Sequence, residues 1–88
     1  MPYTIEFAPS AADQFKKLPK DLQTRSGRRI DSLAINPRPQ GITQLKAEEA
    51  LYRLRVSDYR IIYTIQEEAL IVLVVKIGHR KDVYRRIT

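Results

Sequence analysis

The spacing of apolar and polar residues changes twice along the chain, and each change predicts a new kind of element. Residues 3–7 alternate apolar and polar side chains, as in a strand with one buried face. Pro9 ends this pattern, and apolar residues then recur at helical spacing until Pro19. A second apolar stripe at helical spacing covers residues 22–34, before the proline-rich loop 36–41. The first half therefore predicts a strand followed by a helical hairpin.

The second half of the chain predicts a β-hairpin and one further strand. Residues 52–56 and 59–65 alternate apolar and polar side chains around the two-residue turn Ser57-Asp58. Glu67-Glu68 predicts another turn before the apolar run 70–77. A final helical turn or two is expected within residues 82–87. The expected fold class is α+β in the order β-α-α-β-β-β: an antiparallel sheet with an N-terminal helical hairpin on one face and a short C-terminal helix.

The short turn also predicts the register of the hairpin. If Ser57-Asp58 is the turn, Val56 pairs with Tyr59 and Arg55 lies directly opposite Arg60. Arg53 falls on the same face as these two arginines. The other face, which the helices should cover, carries Tyr52, Leu54, Val56, Tyr59, Ile61 and Tyr63.

Three arginines on one sheet face need an explanation, because like charges directly opposite across strands destabilise a sheet. One explanation is a solvated surface with Glu48, Glu49 or Glu67 as partners. The other is a binding site for an anion, since the planar guanidinium group matches phosphate oxygens and keeps its charge when desolvated. Three such groups suit a phosphodiester.

Composition narrows the classes of function. The 88 residues form one domain, 1–88, with 43% hydrophobic residues, no cysteine and a single histidine. Disulfide frameworks and thiolate or histidine metal centres are therefore excluded, and no metal or cofactor is expected. No apolar run is long enough for a membrane span and no signal peptide is evident, so the expected location is cytoplasmic. The net charge of +6 favours an anionic partner, of which nucleic acid is the commonest, and an ordinary basic domain is the equally weighted alternative.

The basic stretch KIGHRKDVYRR, residues 76–86, is expected to join the arginines. If the turn at Glu67-Glu68 is tight, Arg60 pairs near Val75 and the strand end at His79 and Arg80 emerges beside the hairpin turn. Tyr84 follows Arg80 by one helical turn and can point the same way. The alternative for Tyr84 is packing on the sheet, and His79 is favoured as a surface residue. The remaining basic residues, Lys76, Lys81, Arg85 and Arg86, are interpreted as a solvated collar.

The segments YRLRVSDYRIIYTI and IVLVVKIGHRKDVYRR resemble the RelE/ParE superfamily of bacterial toxin–antitoxin toxins, and the RelE branch in particular. The resemblance implies a RelE-like fold and a ribosome-dependent endoribonuclease that cuts mRNA in the ribosomal A site. It also implies silencing by a cognate RelB-like antitoxin, and no membrane. The family's catalytic residues correspond to Arg53, Arg55, Arg60, Arg80 and Tyr84. Substrate contacts are expected from Lys46, Lys76, His79 and Lys81.

The implied reaction is attack of a ribose 2′-OH on the adjacent phosphate. The arginines would stabilise the added negative charge, and Tyr84 would act as general base or as a stacking platform. Arginine is a poor proton acceptor, and histidine is the one side chain whose ordinary pKa lies near neutrality. His79 is therefore a minor candidate for acid or base. Two alternatives remain: a non-enzymatic DNA gyrase poison, as in the ParE branch, and a plain RNA-binding module. The module would need aromatic residues among the basic ones, whereas most tyrosines fall on the predicted core face.

Overall fold

The computed structural model describes residues 2–46 and 50–81, and only the backbone of Lys46. The elements are β1 (Thr4–Phe7), α1 (Pro9–Lys16), α2 (Lys20–Ser32), β2 (Thr43–Lys46), β3 (Leu51–Val56), β4 (Tyr59–Gln66) and β5 (Ile71–His79). The α+β class and the order of the predicted elements are confirmed, and β2 is an addition to them. Over the described ranges, neither helix is long and apolar enough to cross a bilayer. The predicted C-terminal helix lies outside the described residues.

Prolines set the start of both helices. Pro9 is the first residue of α1, where its fixed φ suits the helix and its missing N–H removes a donor that would otherwise lack a partner. Pro19 directly precedes α2. Asp21 lies in the first turn of α2, where a negative charge is favourable, and it pairs with Arg25 one turn later at 3.6 Å. The local sequence therefore accounts for the helical hairpin.

The sheet has five strands in the order β1-β5-β4-β3-β2. Strands β2 to β5 pair antiparallel, as expected, whereas β1 runs parallel to β5 with Thr4 beside Ile71. The sheet is therefore mixed rather than wholly antiparallel. The alternation of residues 3–7 indicates a buried face, but it carries no information about the direction of a neighbouring strand that is distant in sequence.

The register of β3 and β4 agrees with the prediction. Val56 pairs with Tyr59, and Arg55 pairs with Arg60. The register of β4 and β5 differs, because Arg60 pairs with Gly78 and not with Val75. The turn between these strands comprises residues 67–70, which shifts the pairing by two positions. A bulge at Ile62/Tyr63 shifts it by one more.

The core lies between the helices and one face of the sheet. The six hairpin residues predicted for this face all belong to the helix-side cluster: five are buried, and the half-buried Tyr59 packs against them. Helix α1 also protects the edge of β5 beyond the end of β1, because the Gln14 side chain accepts the Ile77 N–H at 2.8 Å. The other face holds a small apolar cluster of Leu51 and Ile62. This second face is the one that carries the arginines.

Candidate nucleic-acid interface

The turn between β3 and β4 forms one end of the sheet, which we call the hairpin tip: Arg55 to Arg60, together with Arg80. Ser57 has a positive φ of 55°, which a type II′ turn requires at its first central position. Such a turn matches the twist of the two strands and leaves no freedom in their register. The turn is therefore what places Arg55 and Arg60 opposite each other.

Arg55 and Arg60 form a close pair. A two-residue hairpin closes on the hydrogen-bonded pair Val56 and Tyr59, so the next pair along is of the non-hydrogen-bonded kind, in which side chains approach most closely. The Arg60 guanidinium donates to the carbonyl oxygens of Ser57 and Tyr59 at 3.2 and 3.1 Å. These backbone dipoles offset part of the repulsion from Arg55, which is exposed.

Arg53 lies one row further from the turn, on the same face. It is half-buried, and its Nη2 donates to the Thr43 hydroxyl at 3.1 Å, which ties it to β2. In the same row, Arg53 pairs with Ile62, and Ile62 pairs with the half-buried Lys76 of β5. We call the surface formed by Arg53, Arg55, Arg60 and Lys76 the arginine face.

The end of β5 is fastened to the hairpin tip. The Arg80 N–H donates to the carbonyl of Asp58 at 2.8 Å, so the pairing of β4 and β5 continues into the turn. Gly78, the residue before His79, lies opposite Arg60 in this pairing. The expectation that the strand end emerges beside Arg55 and Arg60 is confirmed despite the shifted register.

His79 lies on the other face of the sheet. It pairs with Tyr59, and the two rings meet edge to face with centroids 5.7 Å apart. Its Nδ1 accepts the Lys81 N–H at 3.2 Å. The structure thus does not bring His79 together with the arginine face. The role of His79 in substrate binding stays a prediction.

The remaining predicted residues are Lys46, Lys81 and Tyr84. Lys81 is exposed beyond the end of β5. The backbone of Lys46 is in β2, while its side chain and the whole of Tyr84 lie outside the described residues.

The described residues provide no ion pair for the arginines of the hairpin tip. Arg55, Arg60 and Arg80 form no ion pair with any carboxylate of residues 2–46 and 50–81. Glu67, one of the expected partners, lies at the opposite end of β4 and binds other groups. The other two expected partners, Glu48 and Glu49, lie outside those ranges.

Glu67 is the centre of a cluster that the sequence pattern did not predict. It accepts the Tyr3 hydroxyl at 2.8 Å and forms an ion pair with Arg38 at 2.6 Å. Arg38 also donates to the Tyr52 hydroxyl at 3.2 Å and lies over its ring. The hydrogen bond from Tyr3, and then that from Arg38, holds the pKa of the Glu67 carboxyl below its ordinary value. We call Tyr3, Arg38, Tyr52 and Glu67 the carboxylate clasp.

The aromatic residues of the described part all lie with the helix-side core. They form it or pack against it, and they are Tyr3, Phe7, Phe15, Tyr52, Tyr59 and Tyr63. The arginine face therefore offers charge and guanidinium planes but no aromatic ring from residues 2–46 and 50–81. The same residues bring no three histidine or carboxylate side chains together in a metal-binding arrangement.

Comparison with known proteins gives the same family from sequence and from structure. Residues 5–84 match the family model of the ParE toxin of type II toxin–antitoxin systems. The toxin RelG of Mycobacterium tuberculosis is 30% identical over 87 residues, which cover 98% of this chain and all of that protein. A RelE-like toxin protein of Escherichia coli is 31% identical over 88 residues, covering 96% of this chain and 92% of that protein.

Solved structures of toxin–antitoxin complexes contain the same fold. The archaeal RelE–RelB complex from Pyrococcus horikoshii has a chain that superposes with a TM-score of 0.83 at 25% identity, covering 94% of this chain and all of its own. The RelBE2 complex of Mycobacterium tuberculosis gives a TM-score of 0.76 at 26% identity, over 91% and 100% of the two chains. With its helical hairpin, its mixed sheet and the family model matched over residues 5–84, the chain belongs to the RelE/ParE superfamily of type II toxin–antitoxin toxins.

Proposed function

We propose that this toxin is a ribosome-dependent endoribonuclease that cleaves mRNA in the ribosomal A site of the cytoplasm. The observation that carries the proposal is the pairing of Arg55 with Arg60 on a sheet face beside Arg80, where none of the three forms an ion pair with a described carboxylate. Such a cluster costs stability in the free protein unless an anion occupies it. A phosphodiester is the anion whose geometry suits several guanidinium groups.

In the proposed reaction, the ribose 2′-OH attacks the adjacent phosphorus and the 5′-oxygen of the next nucleotide leaves. The products are a 2′,3′-cyclic phosphate and a 5′-hydroxyl. Arg60 and Arg80 would bind the non-bridging oxygens as their charge grows, and Arg55 and Arg53 would hold the strand. Tyr84 is the proposed proton acceptor or stacking platform. Because these side chains offer little acid–base chemistry, the ribosome is expected to complete the site, and free RNA to be a poor substrate.

We further propose that a RelB-like antitoxin silences the toxin by covering the arginine face and the segment after Lys81. Two of the structures with this fold are toxin–antitoxin complexes at 25% and 26% identity. A basic face on which Arg55 and Arg60 form no ion pair with a described carboxylate invites an acidic or amphipathic cover. If a variant truncated after Lys81 binds the antitoxin as tightly as the intact toxin, the segment is not part of that interface.

A second candidate function is poisoning of DNA gyrase without catalysis. The matching family model is that of a ParE toxin, and this observation favours the second candidate. The full set of Arg53, Arg55, Arg60, Arg80 and Tyr84 favours the first, because the gyrase-directed branch tends to lack it. Either activity would stop growth, so growth arrest alone does not distinguish the two candidate functions.

The separating experiment uses two purified systems with one preparation of the toxin. Programmed ribosomes carrying a labelled mRNA report cleavage, and gyrase with relaxed plasmid reports supercoiling. Cleaved mRNA with unaffected supercoiling is the expected result. Intact mRNA together with blocked supercoiling would establish the second candidate instead. Tyr84→Phe in the ribosome system then separates proton transfer, which needs the hydroxyl, from stacking, which needs only the ring.

A further inference from the structure

We infer that Arg29 of helix α2 binds a backbone phosphate of the RNA next to the scissile one, and so extends the arginine face around the edge of β3. This inference rests on the proposed function for the identity of the anion. It assigns a role to a residue of the helical layer.

None of the described strands covers the edge of β3 near the hairpin tip. Strand β2 pairs with β3 only as far as Arg53, which lies beside Thr43. The turn closes on Val56 and Tyr59, so the backbone groups of Arg55 point away from β4 and toward this uncovered side. The Arg55 carbonyl therefore needs a partner from outside the sheet.

Arg29 reaches this edge from the helical layer. Its Nη1 donates to the Arg55 carbonyl at 3.4 Å, while the residue as a whole is exposed. One of five guanidinium N–H groups is thereby used for orientation, and the others remain to bind an anion. The side chain thus lies at the border between the helices and the arginine face.

Part of the role of Arg29 is structural, because it lies in the last turn of α2, where a positive charge is favourable. At 3.4 Å the contact is at the long end of the hydrogen-bond range, and water can serve an exposed carbonyl equally well. Arg29 forms no ion pair with a carboxylate of residues 2–46 and 50–81, although its neighbour Arg25 pairs with Asp21. The carboxylate of Asp58, in the turn at this end of the sheet, is exposed and forms no ion pair with a described cation. A phosphate provides the missing counter-charge.

The test measures binding of a short single-stranded RNA whose 2′-hydroxyls are methylated, so that cleavage cannot occur. Fluorescence anisotropy gives its affinity for the intact toxin and for variants at several salt concentrations. Arg29→Ala is expected to weaken binding about three- to tenfold at low salt, and to reduce the slope of log affinity against log salt by about 0.7. Arg29→Lys should keep the slope and recover part of the affinity, because it retains the charge without the fork.

Arg28→Ala is the matched control, since Arg28 is the adjacent exposed arginine and has no described contact with the sheet. Equal losses in Arg28→Ala and Arg29→Ala would mean a diffuse positive surface and would overturn the inference. So would an unchanged affinity of Arg29→Ala, or the absence of binding by the intact toxin at low salt. If Arg29→Ala alone weakens binding but the intact toxin leaves mRNA on ribosomes uncut, the proposed function fails while the phosphate contact stands.

Discussion

The two ends of the sheet use arginine in opposite ways. In the carboxylate clasp, Arg38 forms an ion pair with Glu67, donates to Tyr52 and lies 5.5 Å from the centre of its ring. At the hairpin tip, Arg55 and Arg60 face each other across two strands, with backbone carbonyls as the only described partners of Arg60. The first end pairs its arginine with a carboxylate within the fold, whereas the arginines of the second form no ion pair with a described carboxylate.

This difference separates stability from function within one small domain. An exposed ion pair such as Arg38–Glu67 contributes modestly to the free energy of unfolding, and its loss should leave activity unchanged. A charge that is opposed by another of the same sign contributes little or negatively to that free energy. Removing such a charge should therefore lower the rate of the proposed cleavage and have little effect on stability. Substitutions at the two ends can test this division directly.

The largest effect is expected at the hairpin tip. Arg60→Ala and Arg80→Ala should each slow mRNA cleavage on programmed ribosomes by roughly 30- to 1000-fold, since one phosphate contact in a transition state contributes about 2–4 kcal/mol. The melting temperature should change little, because Arg60→Ala removes both the repulsion from Arg55 and two carbonyl contacts. Arg28→Ala is the control for both measurements. Unfolding of Arg60→Ala, or cleavage at the wild-type rate, would make the arginine a scaffold residue.

The next effect concerns a buried hydroxyl beside the carboxylate clasp. Tyr63 is fully buried, and its hydroxyl donates to the Pro37 carbonyl at 2.8 Å. Tyr63→Phe should lower the free energy of unfolding by about 1–2 kcal/mol, because the carbonyl loses its partner, while cleavage stays unchanged. Urea denaturation measures the first quantity and the ribosome assay the second.

The stability difference between wild type and Tyr63→Phe should also depend on pH in the alkaline range. Burial raises the pKa of Tyr63 to about 12 from an ordinary value of 10.0. A raised pKa in the folded state means stability that is complete below about pH 10 and is lost as the pH rises toward 12. The difference in unfolding free energy between wild type and Tyr63→Phe should therefore shrink above about pH 10. A constant difference would show that the hydroxyl ionises equally in the folded and unfolded states.

A smaller, acid-dependent effect is expected from Glu67→Gln. The lowered pKa of Glu67 means that its contribution is present above its ordinary pKa of 4.5 and is lost as the pH falls through the folded-state value. The variant should melt below wild type near neutral pH and together with it in acid. Thermal scans across this range measure the difference. A gap that persists in strong acid would indicate lost packing instead of lost charge.

The smallest effect tests the backbone of the hairpin tip. Ser57 has a φ of 55°, a conformation that glycine adopts more readily than serine. Ser57→Gly should raise the free energy of unfolding by about 0.5 kcal/mol, after the greater freedom of glycine in the unfolded chain is counted. Cleavage should be unchanged, because the register of Arg55 and Arg60 is kept. A fall in stability would mean that the serine side chain contributes to the turn.

Local sequence predicted the hairpin tip, and distant contacts account for what it could not predict. A two-residue turn and a period of two determine a register, so the positions of Arg53, Arg55 and Arg60 followed from the sequence. The register of β5 did not, because a four-residue turn and a bulge have no comparably clear pattern. Strand β2 was missed since Leu45 is its single apolar residue, and an edge strand needs few.

The same limit explains the missed side-chain contacts. The Arg38–Glu67 pair joins residues of a loop and a turn, and the Arg29–Arg55 contact joins a helix to a strand. The two residues of each pair are far apart in the chain and are not related by helical or strand spacing. The pattern of apolar and polar residues therefore does not predict either contact. Both contacts depend on how distant parts of the chain pack together in the folded protein.

The parallel pairing of β1 with β5 has a consequence for the order of folding. Thr4 lies beside Ile71, 67 positions later, whereas the Arg55–Arg60 hairpin closes over a two-residue turn. Closing the longer loop costs more chain entropy, so the hairpin should form early and β1 should join late. Kinetic Φ-values near zero for Ile5→Val and clearly higher ones for Ile61→Val would report this order. In a chain growing on a ribosome, β1 therefore waits for its partner until nearly the whole domain has been synthesised.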